Sequence, residues 1–199
     1  MIKIINEIND EPYAKFYELY DLAFKNNQNN IEAIVISSFD NELNEVNSRI
    51  VNLKYIKNNE WIFFSNYNSP KASEFIMHNQ ISCILYWNKL NIQIRMKAII
   101  CKTPKDFSDK HFSLRSNEKN ALAISSSQSS YITSYEEVCR NYEQILSNLD
   151  QIKRRPDYWG GFSFVPYYFE FWEGHSSRLN KRQVFENNNG NWNNYIIQP

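Results

Sequence analysis

Glycine is scarce in this sequence. Four glycines in 199 residues leave no G-x-G-x-x-G and no G-x-x-x-x-G-K-[ST], so a glycine cradle for phosphate is excluded and side chains must hold any phosphate. Cys83, Cys101 and Cys139 are odd in number and form no C-x-x-C pair, and His78, His111 and His175 have no ligand spacing. Neither a disulfide framework nor a zinc site is supported. Charge of one sign is also missing: 22 Lys plus Arg stand against 22 Asp plus Glu, without the basic excess on which non-specific nucleic-acid affinity depends. The longest nearly apolar run, 81–87, is far short of the ~18 residues of a membrane span. The opening Met-Ile-Lys-Ile-Ile-Asn-Glu lacks a signal peptide's apolar core and cleavage site. With a mean hydropathy of −0.61, the chain reads as soluble and cytoplasmic, with free thiols, no metal, no nucleic acid and no membrane partner.

Aromatic residues, in contrast, are plentiful. The 13 Tyr, 13 Phe and 5 Trp suffice to line a site for a planar ligand, although burial in a core or interface absorbs most aromatics. Tyr13, Phe16, Tyr17, Tyr20 and Phe24 recur at helical spacing, predicting a helix over 11–28. The period then shortens to two. Strands are predicted at 33–37, 46–57, 61–66, 81–87, 92–101, 161–173, 183–186 and 192–197, with polar turns at 57–60 and 88–91 and a type I′ hairpin at Asn189-Gly190. Ser69 as N-cap and Pro70 at the first helical position start a helix that stops near Asn79. Residues 103–124 are helical with a mixed period, 125–130 form a serine-rich loop, and 134–149 form a helix. Hairpin-connected strands with three or four helices favour an antiparallel α+β fold, mainly β, over a doubly wound parallel sheet. No repeat or linker divides the chain, so 1–199 reads as one domain with an N-terminal helical segment, 1–30.

Several polar clusters fall at strand ends or helix starts. Arg49 and Lys54, five residues apart on a strand, point to opposite faces unless a bulge intervenes. They can serve two anionic groups or be ordinary surface charge. Ser65, Asn66 and Lys71 surround a helix start, which favours anions and equally fits a well-capped helix with a solvated lysine. Gln93 and Gln128-Ser129 offer amide and hydroxyl groups for the edge of a flat heterocycle. Trp172 with Arg178 and Arg182 can stack on and pair with a ligand, or pack in a core.

In order along the chain, Arg49–Lys54, Phe63–Ala72, Trp87 with Gln93, Phe112–Arg115, Gln128-Ser129, Trp159–Gly161, Glu170–Gly174 and Arg178–Arg182 resemble the pyridoxamine 5′-phosphate oxidase family over about residues 31–199. The resemblance implies a split β-barrel homodimer with FMN at the subunit interface and 155–199 as the dimerisation region. By position, the implied FMN contacts are Arg49, Lys54, Ser65, Asn66, Lys71, Gln93, Gln128, Ser129, Trp172 and Arg182. Implied substrate contacts are Lys54, His111, Arg115, Lys119, Arg178 and Asn180, with Arg178 and Asn180 nearest the chemistry. The implied reaction oxidises pyridoxamine or pyridoxine 5′-phosphate to pyridoxal 5′-phosphate with oxygen. The alternative is an FMN-binding protein of this fold with another substrate or no oxidase activity. Four positions depart from the family pattern. Pro70 replaces an Arg beside the phosphate lysine, His111 a Tyr, Lys119 a Ser, and Asn180 the His of an Arg-Leu-His motif. The changes at 111 and 119 keep or add positive charge. Asn180 removes a side chain that titrates near neutral pH.

Overall fold

In the computed structural model, which describes all of residues 1–199, the aromatic helix forms as α1 (Glu11–Lys25), with Pro12 in its first turn. It buries Tyr13, Phe16, Leu19, Tyr20 and Ala23. Phe16 meets Trp61 at 4.4 Å and Trp87 at 5.8 Å between ring centroids. The helix therefore shares one 29-residue core with the strands, each fully buried large side chain contributing about 1.5–3 kcal/mol.

Ten strands form one sheet: β1 (Lys3–Ile5), β2 (Ala33–Asp40), β3 (Glu45–Asn52), β4 (Tyr55–Lys57), β5 (Glu60–Asn66), β6 (Gln80–Trp87), β7 (Ile92–Lys102), β8 (Trp159–Glu173), β9 (Lys181–Asn188) and β10 (Asn191–Ile197). Six helices flank it: α1, α2 (Pro70–Met77), α3 (Lys105–Ser113), α4 (Asn117–Ser125), α5 (Tyr135–Leu146) and α6 (Leu149–Lys153). The order is β1-β4-β5-β8-β7-β6-β2-β3, with the β9–β10 hairpin added beside β8. Every pairing is antiparallel except β1 with β4.

This is a split β-barrel, and two features make it so. The expected strand 46–57 is broken at Leu53-Lys54. Leu53 N donates to Glu32 O at 2.9 Å and Lys54 N to Ile62 O at 2.8 Å, so the chain leaves β2 and joins β5. Strand β8 divides its partners. Its first half pairs with β5 and its second half with β9, while β7 runs along its other edge from Phe162 to Glu173.

Other differences from the sequence reading are local. β1 and α6 were not expected, being too short to show a period. The mixed region splits into α3 and α4. Ser69 occupies the N-cap position but does not cap: its hydroxyl donates to Asn66 O at 2.7 Å. The shortage of glycine is met by asparagine. Asn6, Asn27, Asn30, Asn44, Asn58, Asn91 and Asn189 all adopt positive φ, which asparagine tolerates better than other residues with a Cβ. No helix is long and apolar enough to cross a membrane.

Candidate active site

The first cluster gathers around the start of α2. Lys71 Nζ lies 2.6 Å from Gln128 Oε1, 3.2 Å from Ser65 Oγ and 3.1 Å from Ser69 Oγ. Ser65 also donates to Gln128 at 3.1 Å, and Asn66 Nδ2 donates to Ser126 O at 3.3 Å. The serine-rich segment is thus tied to the end of β5. Burial lowers the Lys71 pKa to about 8, the neighbouring Arg49 charge pushes the same way, and Glu74 opposes them.

Arg49 reaches this region from β3, where it faces the barrel interior opposite Ile36. Its Nη2 is 2.8 Å from Glu74 Oε2, and Nη1 donates to Ser38 Oγ. Asn47 and Ser38 also donate to the same carboxylate. Glu74, 3% exposed, is a buried partner of Arg49 that the sequence reading missed. Its only signal was a glutamate three residues after Lys71 on a short amphipathic helix.

A second cluster occupies the other side of β5. The His111 ring stacks on Phe64 at 3.7 Å and 10°, and Phe64 lies 5.3 Å from Trp159 at 12°. The Arg115 guanidinium sits 4.2 Å from the Trp159 ring centroid, and its Nη1 is buried with no hydrogen-bond partner. Burial, helped by Arg115, Lys54 and Lys119, lowers the His111 pKa to about 4, so the imidazole is neutral at pH 7. Lys54, at the barrel-closing joint, is 3.9 Å from Glu32. Lys119 contributes its charge to this cluster, while its carbonyl accepts from Arg115 Nη2 at 2.8 Å. Close packing beside these rings requires glycine: a Cβ at Gly161 would lie 2.5 Å from Thr103 Oγ1 and 2.8 Å from its Cγ2.

The third cluster lies elsewhere. Gln93, Trp172 and Arg182 are direct cross-strand neighbours on β7, β8 and β9. Gln93 lies between the buried Ile92 and Ile94 and so faces away from the core. Arg49 instead shares the inward-facing row Ile36, Cys83, Met96 and Phe169. The chain therefore presents Arg49 and Gln93 on opposite faces of the sheet. Arg182 is aimed by the buried Glu170, at 2.7 Å, which also binds Arg95 at 2.9 Å.

Arg178 and Asn180 occupy the loop between β8 and β9. Arg178 has φ +62, and Asn180 Oδ1 accepts from His175 N at 3.0 Å. Neither touches the first two clusters. Ser129, exposed with φ +69, makes no hydrogen bond to Lys71. Left-handed backbone costs roughly 1–2 kcal/mol in a residue with a Cβ.

The donor set suits an anionic nucleotide. In the first cluster Arg49 and Lys71 share one carboxylate, Glu74, so one positive charge is left unbalanced, and in the second, across β5, the buried Arg115 Nη1 lacks an acceptor. An anionic group would balance the one and pair with the other.

Known proteins resemble this chain in sequence and in fold. Residues 159–199 match the family model described as the pyridoxine 5′-phosphate oxidase C-terminal dimerisation region. A pyridoxine/pyridoxamine 5′-phosphate oxidase from Leptospira biflexa is 36% identical over 145 residues, covering 72% of this chain and 68% of the relative. The chain belongs to the pyridoxine/pyridoxamine 5′-phosphate oxidase family. The Haemophilus influenzae oxidase of that name is 31% identical over 188 residues, 94% of this chain and 89% of the relative. Among solved structures, PhzG from Burkholderia lata, in complex with tetrahydrophenazine-1-carboxylic acid, superposes with a TM-score of 0.89. It is 23% identical and covers 95% of this chain and 93% of its own. An FMN-binding protein from Nostoc punctiforme related to pyridoxamine 5′-phosphate oxidase superposes at 0.78, with 10% identity, covering 96% of this chain and 100% of its own. Both superpositions show that the chain shares the fold of these structures.

Proposed function

We propose that this chain is an FMN-dependent oxidase, a single-domain cytoplasmic homodimer that converts pyridoxamine or pyridoxine 5′-phosphate to pyridoxal 5′-phosphate with oxygen. The observation that carries the reading is the convergence of Arg49, Ser65, Lys71 and Gln128 around the start of α2. These side chains would hold the FMN phosphate, with Asn66 and Ser129 at its margin. Gln93, Trp172 and Arg182 face the other way within one protomer. A second copy supplies them to complete the flavin site. The flavin, when bound, supplies the ring that accepts hydride and passes electrons to oxygen, giving hydrogen peroxide.

This chain's residues orient the substrate. Lys54, Arg115 and Lys119 attract its phosphate, and the neutral His111 offers a hydrogen bond without added charge. Arg178 and Asn180 bind near the reacting carbon from the β8–β9 loop of the second copy. The packed rings of Phe64 and Trp159 exclude water from one side of the pocket.

Absorbance of the purified protein tests the flavin, and peroxide release on adding either vitamer tests the substrate. Flavin bands with vitamer-dependent peroxide are the expected result. Protein that stays colourless in excess FMN overturns the cofactor assignment. Flavin-loaded protein inert to both vitamers overturns the substrate.

One observation favours a second reading, a flavoprotein of this fold that does not oxidise these vitamers. Asn180 cannot titrate, and its Oδ1 is engaged by its own loop. Asn180→His separates the readings: vitamer oxidation gained in the variant but absent from the parent supports the second.

A further inference from the structure

The His111 ring is clamped in place, which leaves only its tautomer to be set. Phe64 covers one face at 3.7 Å, and Tyr55 meets the ring edge-on, 5.3 Å between centroids at 82°. The Tyr55 hydroxyl oxygen lies 2.8 Å from His111 Nδ1. Nε2, on the other side of the ring, makes no hydrogen bond within the protein.

The charged groups acting on the ring come from the barrel joint (Lys54), the loop after α3 (Arg115) and α4 (Lys119), and all are cations. A second imidazole proton would add charge among three positive groups, so the ring carries one. Burial raises the Tyr55 pKa, so its oxygen keeps its proton and has it to donate.

We propose that Tyr55 is a positioning residue: its O–H donates to His111 Nδ1, which places the single imidazole proton on Nε2. That N–H is then the donor for the anionic group that Lys54, Arg115 and Lys119 attract. The unpartnered Arg115 Nη1 is a second donor held ready in the same cluster. Without the hydroxyl the proton can sit on either nitrogen, and the ring presents a lone pair to the anion for part of the time. The inference rests on the proposed substrate site, but the tautomer itself does not depend on turnover.

The test uses flavin-loaded protein labelled with 15N-histidine, as wild type and Tyr55→Phe, at pH 7. Phenylalanine keeps the ring that packs on Phe64 and Phe107. Wild-type His111 should show a protonated Nε2 and a bare Nδ1, and titration with inorganic phosphate should shift Nε2. The variant should show a mixture of tautomers and bind phosphate more weakly by the inverse of the fraction that keeps its proton on Nε2, about twofold for an even mixture. A protonated Nδ1 in wild type overturns the proposal. So does a variant with the wild-type tautomer and affinity. Absence of vitamer oxidation alongside the expected tautomer defeats the substrate assignment and leaves this one standing.

Discussion

Arg49 and Glu74, one on a strand and one on the following helix, meet at 2.8 Å inside the barrel mouth with the carboxylate 3% exposed. The pair aims the guanidinium toward the Lys71 cluster. Removing Glu74 alone leaves a partly buried cation without its counter-ion. Glu74→Ala should lower unfolding free energy by about 3–5 kcal/mol, whereas the Arg49→Leu, Glu74→Leu double variant should lose much less. Urea unfolding of all three proteins measures this, and equal losses in single and double variants would contradict it.

Lys71 ties flavin affinity to pH. Its pKa is about 8, so the unliganded site loses this charge as pH rises through that value. A bound phosphate dianion favours the charged form, and affinity for FMN should fall above pH 8. Lys71→Ala should weaken FMN binding roughly ten- to a hundredfold at pH 7 and flatten that pH dependence. Fluorescence titration of flavin between pH 7 and 10 is the measurement.

His111 affects stability in acid. The unfolded chain binds a proton at a pKa of about 6.5, while the folded ring resists protonation down to about 4. Across that window the unfolded state holds more protons, so stability falls as pH drops from 6.5 to 4. His111→Gln should remove this contribution. The gap between urea midpoints at pH 7 and pH 4.5 should be smaller in the variant than in wild type.

If two copies share each flavin site, variants damaged on opposite sides should complement. Arg49→Ala and Trp172→Ala homodimers each spoil both sites. After mixed refolding, the heterodimer has one doubly damaged site and one intact site. Flavin retention should reappear at up to one FMN per heterodimer. No recovery despite mixed dimers on a native gel would mean that each site draws both residues from a single copy.

Much of the candidate site was legible in the chain. Lys71 in the first turn of α2 and Gln128 in the serine-rich loop carry a charge and an amide where backbone geometry leaves side chains free to reach a ligand, while Arg49 lies within β3. The structure brings Lys71, Ser65 and Gln128 into hydrogen-bond contact across sequence separations of 57 and 63. Ser129 was less well read, since the left-handed turn that holds it leaves no mark in composition. Glu74 and Tyr55 were missed because a lone glutamate and a lone tyrosine look alike whether buried or exposed.

The sequence alone determined the local terms: an aromatic helix, hairpins with asparagine at their left-handed turns, and the absence of any glycine cradle. These follow from periodicity and from the φ/ψ limits of single residues. Only the tertiary structure decided that the long third strand breaks at Leu53-Lys54 to close the barrel and that β8 divides between β5 and β9. It alone set Arg49 and Gln93 on opposite faces of one sheet. Strand partners are chosen by contacts distant in the chain, where burial of a shared core outweighs what any short segment prefers.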